Sequence, residues 1–196
     1  MNDRLKSQVE FILKTDSMKE IGRQTYLADG SRKENDAEHS FHLALMVSVL
    51  HEYCDEEVDR LRTMEMVLIH DVVEIEAGDT YAYDTAAHAD KAEREKMAAD
   101  HVFGLLPDDQ AAYYRGLWEE FESGQTPEAR FARTLDRLQP ILLTDAADGK
   151  SWKEHGVKRS WIEKRNELTG ETQPELGSLT RELIVKNTEN GNLIDE

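Results

Sequence analysis

The chain has 196 residues, 39% hydrophobic and 33% charged, with four prolines and eleven glycines; these proportions suit one helical domain with a sizeable core. A formal charge of −17 excludes nucleic acid as a bulk partner, because phosphate backbones bind Lys/Arg-rich surfaces. The single cysteine, Cys54, cannot close an intramolecular disulfide and no apolar run reaches membrane-spanning length, so the expectation is a cytoplasmic protein with no membrane partner.

The opening MNDRLKSQVEFILKT sets Val9, Phe11, Ile12 and Leu13 among charges; it is amphipathic and lacks the unbroken apolar core of a signal peptide. Residues 25–36, TYLADGSRKEND, are polar, contain Asp29-Gly30 and read as a loop. Asn35, with Glu38 three positions on, forms a capping-box start for a helix through AEHSFHLALMVSVLHEY. A second helix is predicted over 58–76, stopping at Gly78. AYDTAAHAD (82–90) reads as a loop into a third helix, KAEREKMAADHVFGLL, and Pro107 and Asp108 start a fourth. Thr126-Pro127 is an N-cap and first-turn pair for a fifth, whose Phe131, Leu135, Leu138 and Leu142 form one apolar stripe, with a kink at Pro140. The tail holds two further helices, in KRSWIEKRNELTG and ELGSLTRELIVKN. Strand signals are nearly absent and nothing divides the chain. The expectation is therefore one all-α domain over 1–196, with a core of about 5–145 and a helical extension of about 146–196.

The chemistry is concentrated in LIHDVVEIEAGD, residues 68–79. At 100° per residue, Leu61, Met64, Val67, Leu68, Val72 and Ile75 share a stripe, and Asp71 falls in its middle. A buried aspartate is costly without a cation. A divalent metal supplies one, and His70 beside it offers a nitrogen ligand; the bland alternative is an arginine partner. Adjacent residues cannot clasp an ion alone, so other helices must supply the remaining ligands. His39 heads the buried face of its helix. Asp136 lies off the main stripe of the fifth helix, where the geometry permits an inward position without demanding it.

The pattern His39, His70-Asp71 and Asp136 resembles the HD-domain superfamily of metal-dependent phosphohydrolases. AEHS, HDVVEIEAGD, LLPDD and TPEARFARTLDRL, with the upstream MKEIGRQTY, look like the branch of bacterial 5′-deoxynucleotidases and HD domain-containing protein 2. The resemblance covers roughly residues 5–145. It implies a helical bundle in which His39, His70, Asp71 and Asp136 hold one divalent ion between helices; Mn²⁺, Co²⁺, Fe²⁺, Mg²⁺ and Zn²⁺ all suit such ligands. It implies that Glu74 acts on the attacking water and Asp79 on the leaving group, and that Arg23 contacts the substrate phosphate. Gln24 stands where those nucleotidases often carry an aromatic beside that arginine, with Tyr26 two positions on.

Phosphate binding in so acidic a protein needs local cations, and Arg32 joins Arg23 as a candidate, with Lys150 and Lys153 as further ones. The expected activity is hydrolysis of small phosphomonoesters, foremost nucleoside or deoxyribonucleoside 5′-monophosphates. Nucleoside-triphosphate, cyclic-nucleotide and guanosine-tetraphosphate hydrolysis are rivals, as is a non-catalytic sensor of metal or nucleotide. The apolar faces of the 127–144 helix and the tail, and the habit of small HD proteins to pair, give the expectation of a homodimer.

Overall fold

A computed structural model of the chain describes residues 2–83 and 90–196. The chain runs α1 (Asp3–Thr15), β1 (Gly22–Tyr26), β2 (Lys33–Asn35), α2 (Asp36–Leu50), α3 (Arg60–Ile69), α4 (Glu74–Ala77), α5 (Lys91–Phe103) and α6 (Asp108–Ser123). It continues through α7 (Pro127–Ala146), α8 (Lys150–His155), α9 (Arg159–Arg165) and α10 (Pro174–Glu189). The all-α expectation holds for the bundle, and the local end-signals explain where helices begin. Asn35 accepts from the Glu38 amide while the Glu38 carboxylate accepts from the Asn35 amide, satisfying two otherwise orphaned donors at the start of α2. Thr126 caps α7 with its hydroxyl on the Ala129 amide, and Pro127 follows where no donor is needed.

Three expectations need correction. Residues 25–36 are not simply a loop: β1 and β2 pair as an antiparallel hairpin. Their residues lack apolar alternation, and Arg23, Gln24 and Thr25 of β1 line a polar cavity. The helix predicted over 58–76 is interrupted: α3 stops at Ile69, and residues 70–73 form tight turns. There the Val72 amide bonds Ile69 O at 3.1 Å and the Glu74 amide bonds Asp71 O at 2.9 Å, a three-residue reach in place of four. The predicted stripe is also rotated, with Leu61 68% and Leu68 45% exposed. Val67 and Val72 are buried as expected, but Thr63 and Met66 are buried too, Thr63 because its hydroxyl bonds back to Asp59 O. The loop expected over 82–90 lies mostly outside the described residues, His88 included.

α7 packs against α2, α3, α6 and α10. Leu43, Val47, Met66, Val67, Leu117, Phe131, Leu135 and Leu138 are fully buried around it, each contributing about 1.5–3 kcal/mol by leaving water. A smaller cluster of Ile141, Trp152, Val157, Ile162, Ile184 and Leu193 joins the end of α7 to α8, α9 and α10. The apolar face of α7 is thus used inside the chain. Open apolar surface lies instead on α2, where Phe41, Leu45 and Val49, four apart, are each more than half exposed. No described helix is long and apolar enough to cross a membrane.

Candidate metal centre and its cavity

A cavity of about 200 Å³ opens beside the turn that follows α3. His70 and Asp71 line it from residues 70–73 and Asp136 from the middle of α7, while His39, fully buried, meets Asp136 from the first turn of α2. His39 Nε2 lies 3.2 Å from Asp136 Oδ1 and 3.9 Å from Asp71 Oδ2; His70 Nε2 lies 3.1 Å from Asp71 Oδ1 and 3.8 Å from Asp136 Oδ1. Ligands held about 2.0–2.2 Å from a divalent ion sit about 3.0–3.5 Å from one another; the 3.1 and 3.2 Å separations fall in that range and the 3.8 and 3.9 Å ones lie a few tenths of an ångström beyond it, close enough for a shared cation. The histidine tautomer suits it too. His70 Nδ1 is 2.8 Å from the Val67 carbonyl, which can only accept, so the proton sits on Nδ1 and the Nε2 lone pair faces the cluster. That Nε2 is buried with no hydrogen-bond partner. The donor set therefore fits a divalent ion.

The electrostatics point the same way. Burial opposes charge on Asp71 and Asp136, yet the neighbouring imidazoles, with Arg23 at Asp71, hold both carboxyls well below the usual range. Burial likewise opposes the His70 imidazolium, but Asp71 and Asp136 raise its pKa well above 6.5. A second proton, on Nε2, and a divalent ion in its stead are alternative ways to supply the positive charge that the two carboxylates demand. His39, by contrast, is pushed down to about 4 by burial and by Arg23.

Arg23 owes its place to an irregular strand. Gly22 pairs with Asn35 and Tyr26 with Lys33, so five residues of β1 oppose three of β2. The extra residues form a bulge, and Arg23, Gln24 and Thr25, three in a row, all line the cavity; a regular strand would turn only alternate residues inward. Arg23 donates to Asp71 Oδ2 at 2.7 Å and to Asp36 Oδ1 at 3.3 Å, and its Nε lies 3.5 Å from Glu34 Oε1. Asp36, Asp71 and Glu74 also place carboxylate oxygens within 4.8 Å of one another, and the Arg23 guanidinium bridges two of them.

Glu74 starts α4 and is 4% exposed. Burial, with Asp71, Asp36 and Asp79 nearby, pushes its carboxyl up to about 11. Gly78 ends α4 at φ +77°, a conformation suited to glycine, and turns the chain so that Asp79 also lines the cavity. Burial raises the Asp79 pKa against the pull of Arg23.

The structure thus brings His39, His70, Asp71, Asp136, Glu74, Asp79 and Arg23 together. Arg32 stays out: its side chain is 56% exposed and holds Glu38 in a bidentate pair. Lys150 bonds Gly30 O and lies 4.0 Å from the Tyr26 ring centroid, Lys153 pairs with Asp148, and neither lines the cavity. Sequence reasoning missed Glu34 and Asp36. As acids flanking the cap of α2 they look like ordinary partners of the helix dipole, yet both are buried, and burial raises each to about 7. Glu34 Oε2 accepts from Gln139 Nε2, which also lies 3.3 Å from His42 Nδ1, while Oε1 is 3.8 Å from His39 Nδ1. Also missed were Arg133, Arg137 and Arg165 on the cavity wall. The spacing of the first two around Asp136 was the available signal.

A helical bundle that gathers two histidines and two aspartates in this way is an HD domain, and residues 15–177 match the HD domain family, to which the chain belongs. Among curated proteins it is similar to 5′-deoxynucleotidase HDDC2 of Xenopus laevis, 30% identical over 138 residues, covering 70% of this chain and 67% of that protein. The same enzyme of Danio rerio is 29% identical over 137 residues, 69% of this chain and 67% of that one. Among solved structures, a predicted metal-dependent phosphohydrolase from Magnetospirillum magnetotacticum is 48% identical with a TM-score of 0.93, covering 98% and 96% of the two chains. A conserved hypothetical protein from Pyrococcus furiosus, 22% identical with a TM-score of 0.63 over 92% and 99% of the chains, shares the fold.

Proposed function

We propose that the chain is a metal-dependent phosphohydrolase that cleaves small phosphomonoesters with water, foremost nucleoside or deoxyribonucleoside 5′-monophosphates, releasing the alcohol and inorganic phosphate. The observation that carries this reading is the convergence of His39, His70, Asp71 and Asp136 on one point at the wall of a polar cavity lined by Arg23, Glu74 and Asp79. The relatives' names support the nucleotide as substrate. His39, His70, Asp71 and Asp136 would hold the ion. A divalent cation supplies Lewis-acid charge to a phosphoryl group and makes nearby water more acidic.

The chain's own residues divide the rest of the work. Arg23, fixed by Asp71 and Asp36, presents a guanidinium to the phosphate oxygens. Glu74 orients the attacking water and takes its proton, which requires the carboxyl to be ionised. Asp71, Asp36 and Asp79 oppose that ionisation, so added positive charge in the cluster is what readies Glu74. Asp79, whose pKa is raised, keeps a proton to give to the leaving oxygen.

Wild type and Asp71→Ala, purified alike, test this by plasma mass spectrometry of bound metal and by phosphate release from deoxynucleoside 5′-monophosphates. We expect close to one divalent ion per chain, release abolished by EDTA, and both metal and activity lost in the variant. A wild type that is metal-free and stays inactive with added Mn²⁺ or Co²⁺ overturns the proposal and favours a sensor.

A further inference from the structure

We propose that Arg133, Arg137 and Arg165 form a second anion subsite, so that the preferred substrate is a phosphate ester carrying another anionic group, a phosphate or a carboxylate, besides the one that reacts. The identity of the reacting group rests on the hydrolase reading above; the subsite itself does not.

All three residues line the cavity. Arg133 and Arg137 are four apart on α7, which makes them neighbours on the helix surface, about 5–6 Å between Cβ atoms. Arg165, the last residue of α9, brings Nη2 to 3.9 Å from Asp136 Oδ2. Asp136 therefore stands between two groups: Oδ1 faces His39 and His70, and Oδ2 faces Arg165.

Charge balance on this wall is unlike that elsewhere in the molecule. With 41 acidic and 24 basic residues the chain has carboxylates to spare, and arginines elsewhere take them: Arg4 with Asp109, Arg62 with Glu120, Arg115 with Asp100 and Glu119. Arg133 instead donates to the main-chain carbonyls of Phe121 and Glu122, which carry no net charge. Arg137 is half-buried and has no hydrogen bond or ion pair among the described residues. The charges it feels are those of Arg133, Arg165 and Asp136. The carboxylate that Arg137 and Arg165 share is itself bonded to His39, against three permanently charged forks on the same wall. Such a cluster costs stability by like-charge repulsion unless an anion fills it, and guanidiniums match the oxygens of phosphate or carboxylate two at a time. In a molecule of charge −17 it is also a local well for an anion that the rest of the surface repels.

Two matched pairs test the subsite: glycerol 3-phosphate against 3-phosphoglycerate, and adenosine 5′-monophosphate against adenosine 3′,5′-bisphosphate. Each is assayed with the metal-loaded protein at fixed ionic strength, by ligand-dependent shift in melting temperature and by kcat/KM for phosphate release. We expect the doubly anionic member of at least one pair to be preferred about tenfold or more. Arg137→Gln and the more exposed Arg165→Gln should each cut that ratio severalfold, and Arg137→Lys should keep part of it. A ratio near one in both pairs, an unchanged ratio in both Gln variants, or an equal loss for both members of a pair overturns the subsite. Preference seen in the melting shifts without any phosphate release would sustain the subsite and sink the hydrolase reading. Release without preference would do the reverse.

Discussion

Arg23 and Arg137 line the same cavity, one from β1 and one from α7, in surroundings of opposite sign. Arg23 is met by Asp71, Asp36 and Glu34, more carboxylates than it can neutralise, and those it fails to satisfy hold protons. Arg137 is met by two other arginines and one shared aspartate. The first guanidinium is already a counter-charge to buried carboxylates before it meets a phosphate, and the second is charge held in reserve for something that arrives. A residue's type says little about its task until the charges around it are counted.

Three substitutions put that contrast at risk. The largest effect should come from Arg23→Met in metal-stripped protein. It removes the counter-charge of a buried acidic group, and breaking such a group costs about 3 kcal/mol even as the orphaned carboxyls take up protons; chemical denaturation measures it, and no loss would mean Arg23 is not a counter-charge.

Next is Glu34→Gln, read as stability against pH. Burial raises the Glu34 pKa from 4.5 to about 7. Between those values the folded state keeps a proton that the unfolded chain has released, so this group's contribution falls as pH rises. Metal-stripped wild type should lose about 2 kcal/mol relative to Glu34→Gln from pH 4.5 to 7.5 in urea melts, and parallel curves would contradict it. The smallest effect is of opposite sign. Arg137→Met keeps the apolar stem and removes a repelled charge, so ligand-free protein should be unchanged or stabilised by up to about 1 kcal/mol. A clear destabilisation would show that Arg137 has a partner in the folded chain.

Much of the bundle was legible because helix ends announce themselves locally: Asn35 with Glu38, Thr126 with Pro127, Pro107 before α6. The proposed ion site was legible in part because His70 and Asp71 are too polar for an apolar run; His39 and Asp136 joined them through the resemblance to HD domains. The interruption after Ile69 was not, since apolar spacing barely changes when hydrogen bonds shorten from four residues to three over a single turn. The hairpin was hidden for a different reason: Arg23, Gln24 and Thr25 line a polar cavity, and strand patterning is visible when one face meets an apolar core. Glu34, Asp36 and the three wall arginines escaped notice because burial of a charge is decided by what folds over it from far along the chain. Arg23, Asp71 and Asp136 are brought together from β1, the turn after α3, and α7.

The bulge in β1 has a bearing on how this site can change over generations. Its ends are pinned by the pairs Gly22 with Asn35 and Tyr26 with Lys33, while the connection over residues 27–32 lies outside both. That connection can lengthen or shorten without moving the arginine. Loss of one residue between Gly22 and Tyr26 would instead swing the guanidinium off its carboxylates in a single step. Insertions and deletions there are therefore the mutations that would convert this HD domain from one anion chemistry to another, or silence it, with the helical frame intact.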